Sequence, residues 1–323
     1  MQETGTGVCV DPAQAELIAE IAKIRKDNRM SRFTLALVQV LLASPLLGVA
    51  AETKATAIVA IEKLGGKVTV VEDRPDSLAI RVSFRSTGIT DGGIEYLKGL
   101  GKLQELDLSH TTVTDAGMKH LKGLSQLQRL DLSYTRVTDA GMEQLAGLHQ
   151  LLELDLTGDN VTDAGLSRLK VLSQMVELSL GDTKVTDVGL EYLQSLRFLE
   201  LRLGGTRITD SGVKKLKSVA QLTTLDIRDT KVTDGALAHI GGMTQLHELE
   251  LGGTMVTDAG LKHLHSLTQL RWLGLERTKV TDAGLKWITG ATGLRTLYLD
   301  DTAVTTAGIR DLLQALPDLV IRK

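Results

Sequence analysis

Apolar residues recur along most of this chain in one repeated order. Starting at Leu103, the unit reads LQELDLSHTTVTDAGMKHLKGLSQ, and the same skeleton returns about ten times. The first part alternates apolar and polar residues, which predicts a short β-strand that buries Leu106 and Leu108. The second part has apolar residues three apart, at Met118 and Leu121, which predicts a short α- or 3₁₀-helix. Each unit is therefore expected to add one strand and one helix.

The letters V-T-D-A-G stand at the predicted start of each helix, and their aspartate recurs every 24 residues except for one step of 23. A fixed period of this length is typical of a solenoid, in which each repeat packs only on its neighbours. Because an enzyme needs a catalytic group once, we interpret the motif as scaffold. We expect the Asp115 carboxylate to accept hydrogen bonds from the first N–H groups of its own helix, and Gly117 to allow close packing there. The motif aspartates are Asp91, Asp115, Asp139, Asp163, Asp187, Asp210, Asp234, Asp258 and Asp282.

The repeated unit resembles the leucine-rich repeats. Its T-D-A-G helix start is similar to the ribonuclease-inhibitor-like and F-box-associated subtypes, and above all to the 24-residue version of bacterial secreted repeat proteins. The resemblance covers residues 78–323 and implies an α/β fold with about ten repeats and a closing strand. The repeats would form a right-handed superhelix with the shape of an open horseshoe. A parallel sheet would line the concave side and short helices the convex side. In one column the family's usual asparagine is replaced by threonine, or by Asp159 in one repeat. We expect the threonine hydroxyl to make the same kind of bond to the backbone.

The N-terminal part of the chain does not follow the repeat. Residues 30–51 contain one arginine, an apolar run interrupted by Pro45 and small residues at the end, which is the anatomy of a secretory signal peptide. Residues 1–29 would then be a non-native or disordered extension, with Met30 as the natural start. The alternative is a membrane anchor with a basic flank, for which the apolar run is short.

Residues 52–77 separate this segment from the first repeat. They contain an amphipathic helical pattern that ends at Gly65 and Gly66 and a strand pattern that starts at Lys67, and a second strand pattern follows from Leu78. Because the open end of a solenoid core needs cover, we predict that they form an N-terminal cap. The predicted location is secreted, periplasmic or in the cell envelope, with no stable membrane span after cleavage of the signal peptide.

The composition excludes several classes of protein. The 323 residues carry a formal net charge of −3, which argues against a general nucleic-acid-binding protein. A single cysteine, Cys9, excludes a disulfide framework and a cysteine-based zinc site. The sequence lacks the motifs of serine hydrolases, zinc proteases, P-loop proteins and dinucleotide-binding enzymes. We therefore predict no catalytic residue, no metal and no cofactor.

The polar strand positions are expected to line the concave surface. Thirty such positions form three columns, of which twelve are acidic and five are basic. An acidic surface favours a basic partner through charge complementarity. The resemblance to ribonuclease-inhibitor-like proteins also implies a protein partner, held on the concave and C-terminal surfaces. The chain itself is predicted to be a monomer.

The N-terminal end of the concave surface contains the first candidate site. Glu105, Arg129 and Glu153 alternate in sign and predict an ion-pair ladder across neighbouring strands. Three aspartates follow in the next column, about 4.8 Å apart, so that their carboxylates repel one another. This row shares Arg129, binds a cation such as calcium through its oxygens, or receives a Lys or Arg of the partner. The row consists of Asp107, Asp131 and Asp155.

The C-terminal end contains the second candidate site. Trp272 and Tyr298 fall on outward strand positions of adjacent repeats, and Gly274 is expected to leave space between them. Exposed aromatic residues among charges are typical anchors of protein interfaces, although the same rings are also suited to covering the end of the sheet. The charged residues predicted to surround them are Glu250, Glu276, Asp300 and Arg228.

These observations favour a non-enzymatic, protein-binding leucine-rich-repeat module that holds a basic protein on its concave face. One alternative is the substrate-recognition arm of an intracellular F-box-like ubiquitin-ligase-type complex, although residues 1–51 show no convincing F-box. The other is a cation-dependent or unrecognised enzyme, for which the aspartate row is the only support.

Overall fold

The computed structural model describes residues 48–74, 77–219 and 221–323. Within these ranges, twelve strands form one open sheet in which the spatial order of the strands equals their order in the chain. The first two strands pair in antiparallel fashion, and every later pair is parallel. The strands are β1 (Lys67–Arg74), β2 (Ser77–Ser83), β3 (Leu103–Asp107), β4 (Arg129–Asp131), β5 (Glu153–Asp155), β6 (Glu177–Ser179), β7 (Glu200–Arg202), β8 (Thr224–Asp226), β9 (Glu248–Glu250), β10 (Trp272–Gly274), β11 (Thr296–Tyr298) and β12 (Val320–Arg322).

Short helices connect the strands, as the three-residue spacing predicts. The α-helices are α1 (Gly48–Lys63), α2 (Asp115–Met118), α3 (Asp139–Met142), α4 (Asp163–Leu166), α5 (Asp210–Lys215), α6 (Asp234–Ile240), α7 (Asp258–Leu261), α8 (Asp282–Leu285) and α9 (Thr306–Ala315). The 3₁₀ segments are Asp91–Gly99, Lys119–Leu121, Glu143–Gly147, Leu169–Val171, Gly189–Leu193, Leu216–Ser218 and Lys262–Ser266.

Helix α1 precedes the sheet and packs on β1 and on the first 3₁₀ segment. It buries Ile58 and Ile61, and it ends before Gly65, whose φ of +86° suits the left-handed residue that follows a helix. The helix begins at Gly48, inside the segment predicted as a signal peptide, whereas residues 1–47 lie outside the described part of the chain. Among the described residues, no helix combines the length and the apolar character needed to cross a membrane.

The core is a set of leucine columns that run through all repeats. Strand register places Leu106 beside Leu130, Leu130 beside Leu154 and Leu154 beside Leu178, and each of these side chains is at most 2% exposed. Full burial of one leucine contributes roughly 1.5–3 kcal/mol. Since one repeat cannot bury its own leucines, stacking against neighbours is the main source of stability.

The threonine that replaces the family's asparagine bonds to the backbone as expected. The hydroxyl of Thr111 donates to the carbonyl of Leu108 at 2.7 Å, three residues earlier. Thr135 is an exception, because its hydroxyl donates to the Asp159 carboxylate at 2.9 Å. The residues that repeat the Thr111 bond are Thr87, Thr183, Thr206, Thr230, Thr254, Thr278 and Thr302.

The expected role of the motif aspartate was wrong. Asp115 does not cap its own helix: the hydroxyl of Thr114 does so, by accepting from the N–H of Ala116 at 3.2 Å. The Asp115 carboxylate instead crosses to the next repeat, where it accepts from the N–H of Thr138 at 2.8 Å and from its hydroxyl at 2.7 Å. The N-cap position is already taken by threonine, so the carboxylate is free to join two repeats.

The same double hydrogen bond joins each motif aspartate to a threonine of the following repeat, and we call this series the Thr–Asp ladder. The motif glycine leaves room for it, because a Cβ atom at Gly141 would lie 2.5 Å from Oδ1 of Asp115. In the last repeat Thr306 stands where the aspartate would be, so the series ends there. The pairs are Asp91–Thr114, Asp115–Thr138, Asp139–Thr162, Asp163–Thr186, Asp187–Thr209, Asp210–Thr233, Asp234–Thr257, Asp258–Thr281 and Asp282–Thr305.

Candidate functional site

The N-terminal end of the concave sheet forms a groove of about 550 Å³ across β1–β6. The predicted ion-pair ladder lies in it: Arg129 contacts Glu105 through Nη1 and Glu153 through Nε, each at 2.7 Å. Arg81 adds a contact to Glu105 at 3.1 Å. Parallel register brings these side chains together, because the strands pair Glu105 with Arg129 and Arg129 with Glu153. The predicted ion-pair ladder of Glu105, Arg129 and Glu153 is confirmed.

The aspartate row lies beside this ladder, and its contacts are mostly local. Oδ1 of Asp131 accepts from the N–H and the hydroxyl of Ser133, at 2.8 and 2.6 Å. Oδ1 of Asp107 accepts from Ser109 in the same way, whereas Asp155 accepts from the N–H of Thr157 at 2.8 Å. Serine or threonine two residues later therefore holds one oxygen of each carboxylate.

Burial raises the pKa of Asp131 above its ordinary value, the bonds from Ser133 oppose this rise, and the neighbouring Asp155 and Asp107 raise the pKa further. The ion pairs of Arg129 go to the glutamates of the first column. In the described ranges, no three His, Cys, Asp or Glu side chains converge as metal ligands. The three aspartates line the groove as a negative strip, in which Oδ2 of Asp107 also accepts from the hydroxyl of Ser83 at 2.8 Å.

A charge cluster that the sequence reasoning missed occupies the middle of the sheet. Arg202 pairs with Glu177 on β6 and, at 2.7 Å, with Glu200 on its own strand. Burial raises the pKa of Glu177, Arg202 lowers it, and the repulsion from Glu200 and Glu153 raises it again. One guanidinium thus serves two carboxylates. Arg202 is the single basic residue in its concave column, and that contrast was the available signal.

Trp272 and Tyr298 lie on adjacent strands at the C-terminal end and are in contact. Their ring centroids lie 5.0 Å apart and the ring planes are tilted by 46°. The strands β10 and β11 place the two rings one repeat apart, and both side chains are partly exposed. The pair therefore offers an apolar patch on an otherwise charged surface.

The space expected at Gly274 is filled. The Glu250 carboxylate lies over Gly274, where a Cβ atom would overlap its Oε2, and Glu276 lies over Gly252 in the same way. Oε2 of Glu250 and Oε2 of Glu276 are buried and have no hydrogen-bond partner among the described residues. Burial raises the pKa of Glu250 to about 8, and repulsion from Glu276 and Asp226 adds to the effect.

The two remaining predicted residues of this end lie at its border. Arg228 pairs with Asp226 at 3.3 Å, whereas Asp300 is exposed. Next to them Arg277 makes two bonds to Asp229, at 2.8 and 3.1 Å, across a whole repeat. This pair was not predicted. The signal for it was Gly253, which takes the same turn position in the repeat between Asp229 and Arg277.

The two candidate groups do not form one site. The aspartate row lies on β3, β4 and β5, whereas the aromatic group begins after β8. The concave surface therefore has two negative regions, and the Arg202 cluster lies between them. A ligand that used both regions would have to extend along most of the sheet, since neighbouring strands lie about 4.8 Å apart.

Comparison with known sequences and structures agrees with this architecture. A leucine-rich-repeat profile matches residues 95–161, and a second one matches residues 195–217. The chain is a leucine-rich repeat protein. No curated protein sequence matches it significantly. The resemblance inferred from the repeated unit is thus confirmed at the level of the family.

Solved structures of bacterial leucine-rich repeat proteins are similar in fold to this one. An internalin, InlF, of Listeria monocytogenes is 22% identical, with a TM-score of 0.55 over 75% of this chain and 79% of the internalin. A leucine-rich repeat protein of Leptospira interrogans is 18% identical, with a TM-score of 0.50 over 71% of this chain and 74% of the other. At these identities the likeness concerns the fold of this leucine-rich repeat protein.

Proposed function

We propose that this leucine-rich repeat protein is a non-enzymatic module that binds a basic protein on its acidic concave face. The leucine-rich repeat fold is typical of protein-binding modules, which supports the general role. The observation that carries the proposal is the C-terminal group, where the Trp272–Tyr298 pair stands beside two carboxylates with unpartnered oxygens. Aromatic anchors bordered by desolvated charges are the usual centres of protein interfaces.

In this proposal, each part of the surface makes a different contribution to binding. The surplus of carboxylates attracts a positively charged partner over distance and speeds its association. Trp272 and Tyr298 then supply apolar contact area, and the acidic residues around them favour a Lys or Arg of the partner next to that area. At the N-terminal end of the sheet, the carboxylates of the aspartate row accept hydrogen bonds from further Lys or Arg side chains of the partner.

The cellular context of the proposal comes from the sequence. We propose secretion or export to the periplasm or cell envelope, with a signal peptide at residues 30–51, a cap at residues 52–77 and repeats at residues 78–323. The T-D-A-G helix start supports assignment to the ribonuclease-inhibitor-like or F-box-associated subtype, with similarity to the 24-residue version of bacterial secreted repeat proteins. We further propose that the chain acts as a monomer.

A capture experiment with a matched control tests the proposed function. The immobilised full-length chain, the double variant Trp272→Ala/Tyr298→Ala and the control Tyr96→Ala/Trp287→Ala are each exposed to an envelope extract of the source cell. Tyr96 and Trp287 are 46% and 44% exposed and lie on the helix side, so the control removes the same ring types from elsewhere.

We expect a basic protein to be retained by the wild type and the control and lost by the first variant. Retention should weaken with salt, because screening reduces attraction between exposed charges. Equal retention by the wild type and both variants would contradict a site at the aromatic pair. Retention of acidic proteins would contradict the proposed chemistry of the partner.

A further inference from the structure

One residue stands directly before each of the strands β4–β11, and Gln104 takes the same position of the repeat inside β3. We call these nine residues the pre-strand column. Each backbone N–H donates to the carbonyl of the preceding member at 2.7–2.9 Å, so the nine residues form a continuous line along one edge of the concave sheet. The members are Gln104, Gln128, Leu152, Val176, Leu199, Thr223, His247, Arg271 and Arg295.

Three consecutive members of this column are apolar, and we call Leu152, Val176 and Leu199 the pre-strand strip. Leu199 is 42% exposed, and the other two are half-buried. The other six members of the column are polar or charged, so these positions do not require apolar residues for folding. In an array of near-copies, such a local departure indicates a demand other than folding.

A fourth apolar residue departs from the repeat at the end of the 3₁₀ segment Leu169–Val171, which precedes β6. Val171 is 51% exposed, and it lies before β6, where the other repeats have glycine or serine. Large apolar patches on the surface of a soluble protein mark interaction sites. The central repeats thus differ from the rest of the array at two positions, one in the pre-strand column and one at the end of a 3₁₀ segment.

The charges beside the strip specify what it binds. Each member is followed by a glutamate, Glu153, Glu177 or Glu200. Arg202 is shared by Glu177 and Glu200, and Arg129 is shared by Glu153 and Glu105. Carboxylates therefore outnumber the guanidinium groups that serve them, and the border of the strip is negative.

We propose that the pre-strand strip is a docking surface for a protein segment that presents aliphatic or aromatic side chains next to Lys or Arg. The proposal rests on the proposed function and gives the basic partner a second, apolar contact in the middle of the array. An anionic lipid surface is disfavoured by the glutamates. A second copy of this chain would bring two acidic borders together.

The test is the selection of random displayed peptides on the immobilised full-length chain. The same pool is applied to the triple variant Leu152→Gln/Val176→Thr/Leu199→Thr, which uses residues that the column has in other repeats and therefore keeps the fold. Val188→Thr is the matched control, because Val188 is 54% exposed and lies on the helix side. Urea unfolding of each variant verifies that stability is retained.

We expect the selected peptides to combine apolar residues with Lys or Arg. They should bind the triple variant at least about tenfold more weakly than the wild type and the control, because the variant loses a well-packed apolar contact. Equal affinity for the triple variant, or peptides without positive charge, would overturn the proposal. A wild-type dimer that the triple variant loses would assign the strip to a second copy and would overturn it as well.

The outcome is separable from that of the capture experiment. The selected peptides should still bind Trp272→Ala/Tyr298→Ala, because the aromatic pair lies outside the strip. If no such peptides are found and the aromatic variant still loses its protein, the strip alone is wrong. If the peptides are found and the aromatic variant loses nothing, the strip stands and the C-terminal site is wrong.

Discussion

Asp159 replaces threonine in one repeat and is 2% exposed. Its Oδ1 accepts from the N–H and the hydroxyl of Thr135, both at 2.9 Å, whereas Oδ2 has no partner among the described residues. Burial raises the pKa of Asp159 to about 7, the bonds from Thr135 oppose this, and Asp155 and Asp131 raise the pKa further. Protonation removes the charge from this buried carboxylate, which is the form that burial favours.

This geometry predicts that stability falls as the pH rises from about 4 to about 7. The folded pKa of Asp159 lies above the ordinary value of 3.8, so the folded state holds the proton more tightly than the unfolded state in that window. The stabilisation by this proton is therefore complete below the unfolded-state pKa of 3.8 and is lost above the folded-state pKa of about 7. The difference corresponds to up to about 4 kcal/mol.

Asp159→Asn should remove this dependence and stabilise the protein at pH 8, because asparagine is neutral and keeps an oxygen for the N–H and the hydroxyl of Thr135. Urea unfolding of the wild type and the variant at several pH values measures the difference, from which the contributions of other carboxyls cancel. Asp182→Asn, an exposed aspartate one repeat later, should follow the wild type. Parallel curves for the wild type and Asp159→Asn would refute the assignment.

At the scale of the element, the Thr–Asp ladder explains why the motif glycine is required. A methyl group at Gly141 would lie 2.5 Å from Oδ1 of Asp115 and 2.9 Å from Cγ1 of Val137. It would displace a carboxylate that accepts two hydrogen bonds from Thr138. Six residues later, Gly147 has no atom within 4 Å of the same methyl position.

Gly141→Ala should therefore lower the free energy of unfolding by about 1–3 kcal/mol, the cost of leaving buried polar groups without good partners. Gly147→Ala should change it by no more than about 0.5 kcal/mol, since the site is open. Chemical denaturation of both variants makes the comparison within one repeat. A similar loss for both would mean that the ladder does not need the glycine.

The sequence predicted the strand and helix of each repeat because both depend on local periodicity. The ladder was not predictable from one repeat, since it joins residues 23 positions apart, and the nearer helix start offered a plausible acceptor role for Asp115. The left-handed turn after each strand also escaped notice, because residues as different as His110 and Tyr134 adopt it, with φ of 56° and 55°. Their rings stack at 4.8 Å, a contact that depends on neighbouring repeats.

The candidate site was predictable in part for the same reason. Column position placed Trp272 beside Tyr298 and Arg129 between two glutamates, because parallel register is constant along the array. It did not reveal that Glu250 fills the space over Gly274, since the direction of a long side chain depends on what surrounds it. Residue types along a column therefore predict adjacency better than they predict free space.

At the scale of the whole molecule, the chain is nearly neutral but its concave face is not. The net charge is −3 over 323 residues, yet twelve of thirty concave positions are acidic and five are basic. We propose that a basic protein binds along this face. The aromatic pair, the pre-strand strip and the aspartate row then make separate contributions to one extended surface.

Site-specific photo-crosslinking tests this claim most directly. A benzophenone amino acid is placed at Thr296, which pairs in register with Trp272 on the concave sheet, or at Val188 on the helix side. Both full-length chains are irradiated in the envelope extract, and the adducts are identified by mass spectrometry. We predict an adduct with a basic protein from position 296 and none with that protein from position 188. An adduct from position 188 alone, or an acidic protein at position 296, would contradict the account.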